Sequence, residues 1–324
     1  MMLLVTVLLA SGLLSALTTA VLLGQLRRRG VQQAVRDDGP ETHLQKSSTP
    51  TMGGLAVILS IAVVVLLGGL ATDVAGLRLY LVVAAMLAYA LVGLYDDLSK
   101  TGTGNPTGWR ARYKIVAETA AAILFLVGLV LLRDDAGPAW HTEWLWLWVP
   151  LGLVALVGGA NAVNLTDGLD GLAAGLTTLC GLAMAALLAM RGDMQMALVA
   201  AAIAGAAAGF LWLNAHPARI FMGDVGSLGL GAALAAVAVA ARMELLFGLI
   251  AAVFVWETLS VMIQVAYFRR TGGKRVFRMA PFHHHLELYG WPEPTVVTRL
   301  WLVGAVCALL GILIGVATWV GGAP

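Results

Sequence analysis

Charge is scarce in this chain: Asp, Glu, Lys and Arg together make up 12% of 324 residues, while 60% are hydrophobic. That balance excludes an ordinary soluble domain and points to an integral membrane protein, read as a single domain over residues 1–324. A net charge of +2, with no basic tract interleaved with aromatics, gives no case for nucleic acid as a partner. Cysteine is nearly absent as well. Cys180 and Cys307 lie in apolar runs without metal-ligand spacing, so packing is their expected role and no disulfide framework or zinc site follows. The GxxxxGKS/T phosphate loop, the GxSxG elbow and the HExxH pair are all missing, which removes the usual signatures of nucleotide hydrolysis, serine hydrolysis and zinc proteolysis. No internal repeat is visible, and that weakens the case for a transporter built from duplicated halves.

Long apolar runs are what the chain has in abundance. Runs of about 20 residues, the length that crosses a bilayer as helix, fall near 2–25, 52–72, 78–95, 114–132, 146–164, 171–190, 195–214, 225–241, 245–267 and 298–320. The expected fold is therefore all-α and polytopic, with about ten transmembrane helices. The first run has no basic residue before it and Arg27-Arg28-Arg29 after it, and it exceeds a signal-peptide core, so it is expected to persist as a helix. Alternating the connections between two sides places 16 of the 20 Lys and Arg on one side and 4 on the other. Cytoplasmic loops accumulate basic residues, so this asymmetry predicts both termini outside. Trp140 and Trp144, in the outer connection 133–145, read as an interfacial aromatic belt.

Every polar cluster then falls on the cytoplasmic side. Asn161, Asn164, Asp167 and Asp170 punctuate the meeting of the fifth and sixth runs, where unpaired burial would cost several kcal/mol for each group, so they are expected to face a cavity. Asp170 is also a natural N-cap for the sixth helix. Asp96 and Asp97 end the third run, where the helix dipole is unfavourable to acids unless Lys100 or a divalent metal compensates; solvated loop acids are the plain alternative. Asp224, in Phe221-Met222-Gly223-Asp224-Val225-Gly226-Ser227, opens the eighth helix as an N-cap, a hard oxygen ligand for a metal such as magnesium, or both. Asn214, His216 and Pro217 lie just upstream. His283, His284 and His285 sit in the long basic ninth connection, which is expected to hold a hairpin or a short amphipathic helix. Three consecutive side chains cannot all reach one ion on regular backbone, so phosphate contact is preferred over zinc, with a merely solvated cluster as the alternative. Lys114 and Glu118, spaced i,i+4, are expected to pair on the fourth helix, and Gln264 to face the cleft. Carboxylates, imidazoles and basic residues gathered at the inner face of a membrane bundle suit transfer of a phosphate-linked group to or from a lipid.

Those motifs, together with Asp38-Gly39-Pro40, His43-Leu44, Thr49–Gly54 and Gly290-Trp291 through Arg299-Leu300-Trp301, occur in an order that resembles the phospho-N-acetylmuramoyl-pentapeptide transferases, a branch of the polyprenyl-phosphate N-acetylhexosamine-1-phosphate transferase superfamily. Leu286 stands where the family pattern has Phe, and the chain is short for the family. The resemblance covers essentially the whole sequence. It implies transfer of phospho-N-acetylmuramoyl-pentapeptide from UDP to undecaprenyl phosphate with magnesium, giving lipid I and UMP for peptidoglycan at the bacterial cytoplasmic membrane, by a homodimer whose cleft faces the cytoplasm. It implies Asp96, Asp97 and Asp224 as catalytic acids, Asp224 as the magnesium ligand, and His283, His284 and His285 as phosphate or sugar-nucleotide contacts, with His284 the catalytic one. Lys46, Gly168, Leu169, Asp170 and Phe221 would form a uridine pocket; Asn161, Asn164, Asp167, Asn214 and Gln264 would line the cleft; Lys100 and Lys114 would meet phosphates. Direct displacement, with Asp96 or Asp97 as general base, and a two-step route through an aspartyl-phosphate both remain open. A transferase using UDP-N-acetylglucosamine and a transporter with an acid-lined pathway are the rival functions.

Overall fold

A computed structural model describes residues 1–29, 49–72, 74–102, 108–132 and 145–320. Among them are twelve helices and no strand: α1 Met2–Arg29, α2 Gly54–Leu70, α3 Leu77–Gly102, α4 Ala111–Leu132, α5 Leu145–Thr166, α6 Leu172–Met190, α7 Met194–Asn214, α8 Gly223–Ala240, α9 Glu244–Ile250, α10 Ala252–Arg270, α11 Phe282–Leu288 and α12 Glu293–Val320. Eight of these are long and apolar enough to cross a membrane, and α9 with α10 forms a ninth such unit; α2, at 17 residues, is shorter. The protein is thus all-α and polytopic. Lys46, Trp140 and Trp144 lie outside the described residues.

Two expectations about helix limits change. The expected single span at 245–267 is broken, with α9 and α10 meeting at an angle of 82°. Hydropathy is blind to chain direction, so an uninterrupted apolar run gives no sign of such a bend. The third helix also continues past residue 95 to Gly102, which puts Asp96 and Asp97 inside its last two turns rather than in a loop.

The bundle is organised around α8, whose residues from Val225 to Ala240 are all buried. This segment is mostly Ala, Gly and Val, and small side chains let backbones approach closely where lipid supplies no hydrophobic drive between helices. Helices α2, α3 and α5 pack on α8, α7 is covered by α1 and α6, and α12 lies on α6. A Cβ at Gly93 would overlap the Asp224 carbonyl, and one at Gly54 would overlap the Gly226 backbone, so α3 and α2 sit directly against the start of α8. On the α1 seam, Ser11 and Ser15 hydroxyls donate to the Ala202 and Ala206 carbonyls, both at 2.8 Å, satisfying polar groups in an apolar contact. Cys180 is packed among buried side chains with its Sγ 3.4 Å from the Ile250 carbonyl, and both cysteines are free.

One end of the bundle is locked by Arg78, whose guanidinium donates to both oxygens of Asp193 at 3.1 and 3.2 Å and also to the Ala240 carbonyl. At the same end Trp148 Nε1 donates to Glu244 at 2.6 Å, with the Arg242 guanidinium stacked over its ring. The candidate catalytic residues gather at the opposite end.

Candidate active site

Four helices bring their polar termini together there: the end of α3, the start of α4, the end of α5 and the start of α8. Asp96 on α3 accepts from Lys100 Nζ at 2.6 Å, one helical turn on, and its other oxygen accepts the Trp109 N–H at 2.7 Å. Lys100 also reaches Asp224 Oδ2 at 3.1 Å, and Lys114 from α4 reaches the same oxygen at 2.6 Å and Asp96 at 3.8 Å. Asn164 on α5 donates to Asp224 Oδ1 and to the Ser227 hydroxyl, each at 2.9 Å. The two carboxylates therefore share two ammonium groups, which supplies the cation that the dipole argument required of Asp96. One lysine nitrogen lies within 3.1 Å of an oxygen from each carboxylate, and the Asp224 carboxylate among them is a hard oxygen donor of the kind a divalent ion such as magnesium takes.

Asp97 faces elsewhere. Its two oxygens accept the backbone N–H groups of Asp224 and Val225, each at 3.0 Å, so a carboxylate from α3 caps the first turn of α8. The N-cap position of α8, Met222, makes no side-chain cap bond, and Asp224 lies one residue inside the helix with its side chain turned to the lysines. Gly223, at φ +76°, has the left-handed conformation that this close turn demands, and a Cβ there would come 2.7 Å from Asp97 Oδ2. The backbone of 50–54 is stitched to the same turn: Phe221 N donates to Pro50 O, Gly53 N to Phe221 O and Gly54 N to Met222 O.

Other expected pairings are replaced. Glu118, wholly buried, accepts from Asn161, while Lys114 turns to Asp224 rather than to its i,i+4 neighbour. Asp170 is not the cap of α6. Gly171 holds that position at φ +79° without a side-chain bond, and Asp170 Oδ2 instead meets His216 Nδ1 at 3.1 Å and the Ala218 N–H at 3.0 Å. Glu293 at the start of α12 accepts the Asp170 N–H at 2.8 Å, so Asp170, His216 and Glu293 place ligand-type atoms within 4.8 Å of one another. This brace ties the α5–α6 connection to the α7–α8 connection and to α12. Asn214 works alongside it, accepting the Gly171 N–H and donating to the Ile220 carbonyl. Gln264 clamps the ninth connection, accepting from Val276 N and Phe277 N and donating to Phe277 O.

Between the carboxylates and the histidines runs the loop 167–170, in which Leu169 is buried and Gly168 half-buried. Burial first, then the negative charges of Asp224, Asp97 and Asp170, hold the Asp167 carboxyl well above the usual aspartate range. A raised carboxyl stabilises the fold fully below its unfolded value, near 3.8, and loses that contribution as pH climbs towards the folded value. Asp167→Asn should therefore melt higher relative to wild type at pH 8 than at pH 4, and a difference that does not grow with pH would contradict this.

The ninth connection does contain a short helix, α11, and its three histidines diverge as the backbone argument required. His283 is wholly buried with Nδ1 3.1 Å from Glu257 of α10; His284 Nδ1 pairs with Glu287 at 2.8 Å; His285 Nδ1 accepts the Arg278 N–H while its ring packs on Phe277 and Phe282. A Cβ at Gly168 would collide with His283 Nε2 and come 3.3 Å from His284 Nε2, so both rings point at that loop. Sequence reasoning did not single out Glu293 or Trp109, which make backbone contacts that no local pattern announces.

A family model described as glycosyl transferase family 4 matches residues 79–242, the stretch that holds the carboxylate and amide cluster. The chain is 45% identical over 296 residues to a phospho-N-acetylmuramoyl-pentapeptide-transferase of Shouchella clausii, covering 90% of this chain and 91% of that one. It is 44% identical over 313 residues to the protein of the same name from Geobacillus kaustophilus (94% and 96%), and 40% identical over 312 residues to that from Thermodesulfovibrio yellowstonii (89% and 86%).

Proposed function

The chain belongs to the phospho-N-acetylmuramoyl-pentapeptide-transferase family, and from that membership we propose that it transfers phospho-N-acetylmuramoyl-pentapeptide from UDP to undecaprenyl phosphate, giving lipid I and UMP in peptidoglycan synthesis. The observation that carries this reading is the sharing of Lys100 and Lys114 between Asp96 and Asp224 at one end of a membrane bundle. Both substrates are anionic, and phosphate attack on a pyrophosphate needs fixed positive charge in a site shielded from water. The cleft faces the cytoplasm, where the nucleotide is supplied, and the chain works as a homodimer.

In the reaction an oxygen of undecaprenyl phosphate bonds to the β-phosphorus of the donor, and the bond from that phosphorus to the bridging oxygen breaks. UMP leaves with the bridging oxygen, and a lipid-linked pyrophosphate remains. Asp224 would hold magnesium, which when bound supplies charge neutralisation at the pyrophosphate. Lys100 and Lys114 neutralise phosphate oxygens as they are drawn from the carboxylates. Asp96 has one oxygen committed to Trp109 and the other on the lysine side, where it takes the proton of the lipid phosphate. Asn164 orients Asp224, and Asp97 fixes the turn that carries it. Gly168, Leu169, Asp170 and Phe221, with Lys46, hold the uridine; His284 and His285 contact the sugar nucleotide from α11.

Purified protein given magnesium, undecaprenyl phosphate and either nucleotide tests the donor. UMP should appear with UDP-N-acetylmuramoyl-pentapeptide and stay at background with UDP-N-acetylglucosamine; the reverse pattern would overturn the proposal.

A further inference from the structure

Two polar atoms at the α10–α11 contact are buried without a partner: Glu257 Oε1 and His283 Nε2. Both residues are wholly excluded from solvent, and an unsatisfied polar atom there costs about 1–3 kcal/mol. Glu257 spends its other oxygen twice on one residue, accepting the His283 backbone N–H at 3.2 Å and facing its ring Nδ1 at 3.1 Å. A carboxylate only accepts, so Nδ1 carries the hydrogen, and Nε2 is turned onto the backbone of Gly168, the residue after Asp167. Glycine leaves the only space there, since a Cβ would collide with Nε2.

We infer that Glu257 is a positioning residue: it fixes the tautomer and direction of the His283 ring so that Nε2 is presented, unspent, to the sugar nucleotide as it settles on the loop at Gly168. The inference rests on the transferase reading. The ring beside it is committed: His284, 4.2 Å away between ring centres, pairs with Glu287. The acid nearest along the loop is Asp167.

The test compares UMP release, donor KM and melting temperature for Glu257→Leu, Glu257→Gln and His283→Asn, with the Leu and Asn changes also combined. Glu257→Leu removes the acceptor and should cost about 30-fold in kcat/KM, in line with the effect of a misplaced group in a site. Glu257→Gln keeps an accepting oxygen for both N–H groups and should stay within about threefold of wild type. His283→Asn still donates to Glu257 but has no atom at the Nε2 position, so it should lose turnover at an unchanged melting temperature. The double variant should be no worse than His283→Asn alone, because the two residues act as one unit. Full activity in His283→Asn, or additive losses in the double variant, would overturn the inference. If Glu257→Leu does not fold, His283→Asn alone decides. Failure of the wild type to release UMP would instead sink the transferase reading.

Discussion

Asp224→Asn should lower magnesium-dependent UMP release by about 10³-fold, the scale expected when a group acting directly on the reacting phosphates is removed. The substitution keeps the side chain's shape and the acceptor for Asn164, so the substrate-free protein should melt within a few degrees of wild type. What it loses is charge. Two ammonium groups, Lys100 at 3.1 Å and Lys114 at 2.6 Å, converge on Asp224 Oδ2, and an amide cannot balance them or serve as a strong ligand for a divalent ion. The lysines would be left with Asp96 alone, and a magnesium titration of the variant should show much weaker dependence. Near-normal turnover would reduce Asp224 to an acid in the first turn of α8, favourable to the helix dipole and nothing more.

Asp97→Ala should also remove most activity, by a different route. Asp97 is buried and accepts two N–H groups of α8 across the α3–α8 contact, so alanine leaves two buried donors unpaired at about 1–3 kcal/mol each. Because one of those donors is the backbone of Asp224 itself, the loss of the cap loosens the residue that faces the lysines. Melting temperature and turnover should fall together, with activity down by about 100-fold. Asp97→Asn, which retains one acceptor, should fall between alanine and wild type on both measures. Loss of turnover at an unchanged melting temperature would place Asp97 on the substrate instead, as the sequence motif alone suggests. The contrast between the two acids is the useful part: Asp224 should separate activity from stability, and Asp97 should not.

Much of this is legible in the sequence. Each apolar run holds helix, because a stretch of about 20 residues with few charges has few other ways to satisfy its backbone in a membrane. Asn161, Asn164, Asp167 and Asp170 were recognisable as polar groups too costly to bury unpaired, Asp96 as an acid in need of a cation and Asp224 as a cap or ligand; of these, Asn164, Asp96 and Asp224 converge. What the sequence could not supply was direction. Asp97 and Asp96 are adjacent, yet one serves the α8 backbone 127 residues away and the other meets lysine, because successive residues on a helix point about 100° apart. Lys114 and Glu118 have ideal spacing for a pair, but Lys114 bonds to Asp224 of α8 and Glu118 to Asn161 of α5. Asn214 and Gln264 read as cleft lining and Asp170 as a uridine contact, and no local pattern announces that each also holds backbone. The break between α9 and α10 lies in an unbroken apolar run, where composition reports only that lipid or protein surrounds it.

The most direct test of the central claim follows the donor's two phosphorus atoms separately. With UDP-N-acetylmuramoyl-pentapeptide labelled at the β-phosphate, undecaprenyl phosphate and magnesium, wild-type protein should move the label into the organic-extractable lipid while the α-phosphate leaves as UMP. If the β-label stays in water as UDP or inorganic phosphate while the protein is folded and both substrates are present, the chain does not transfer a phospho-sugar and the assignment of Asp96, Asp224, Lys100 and Lys114 falls with it.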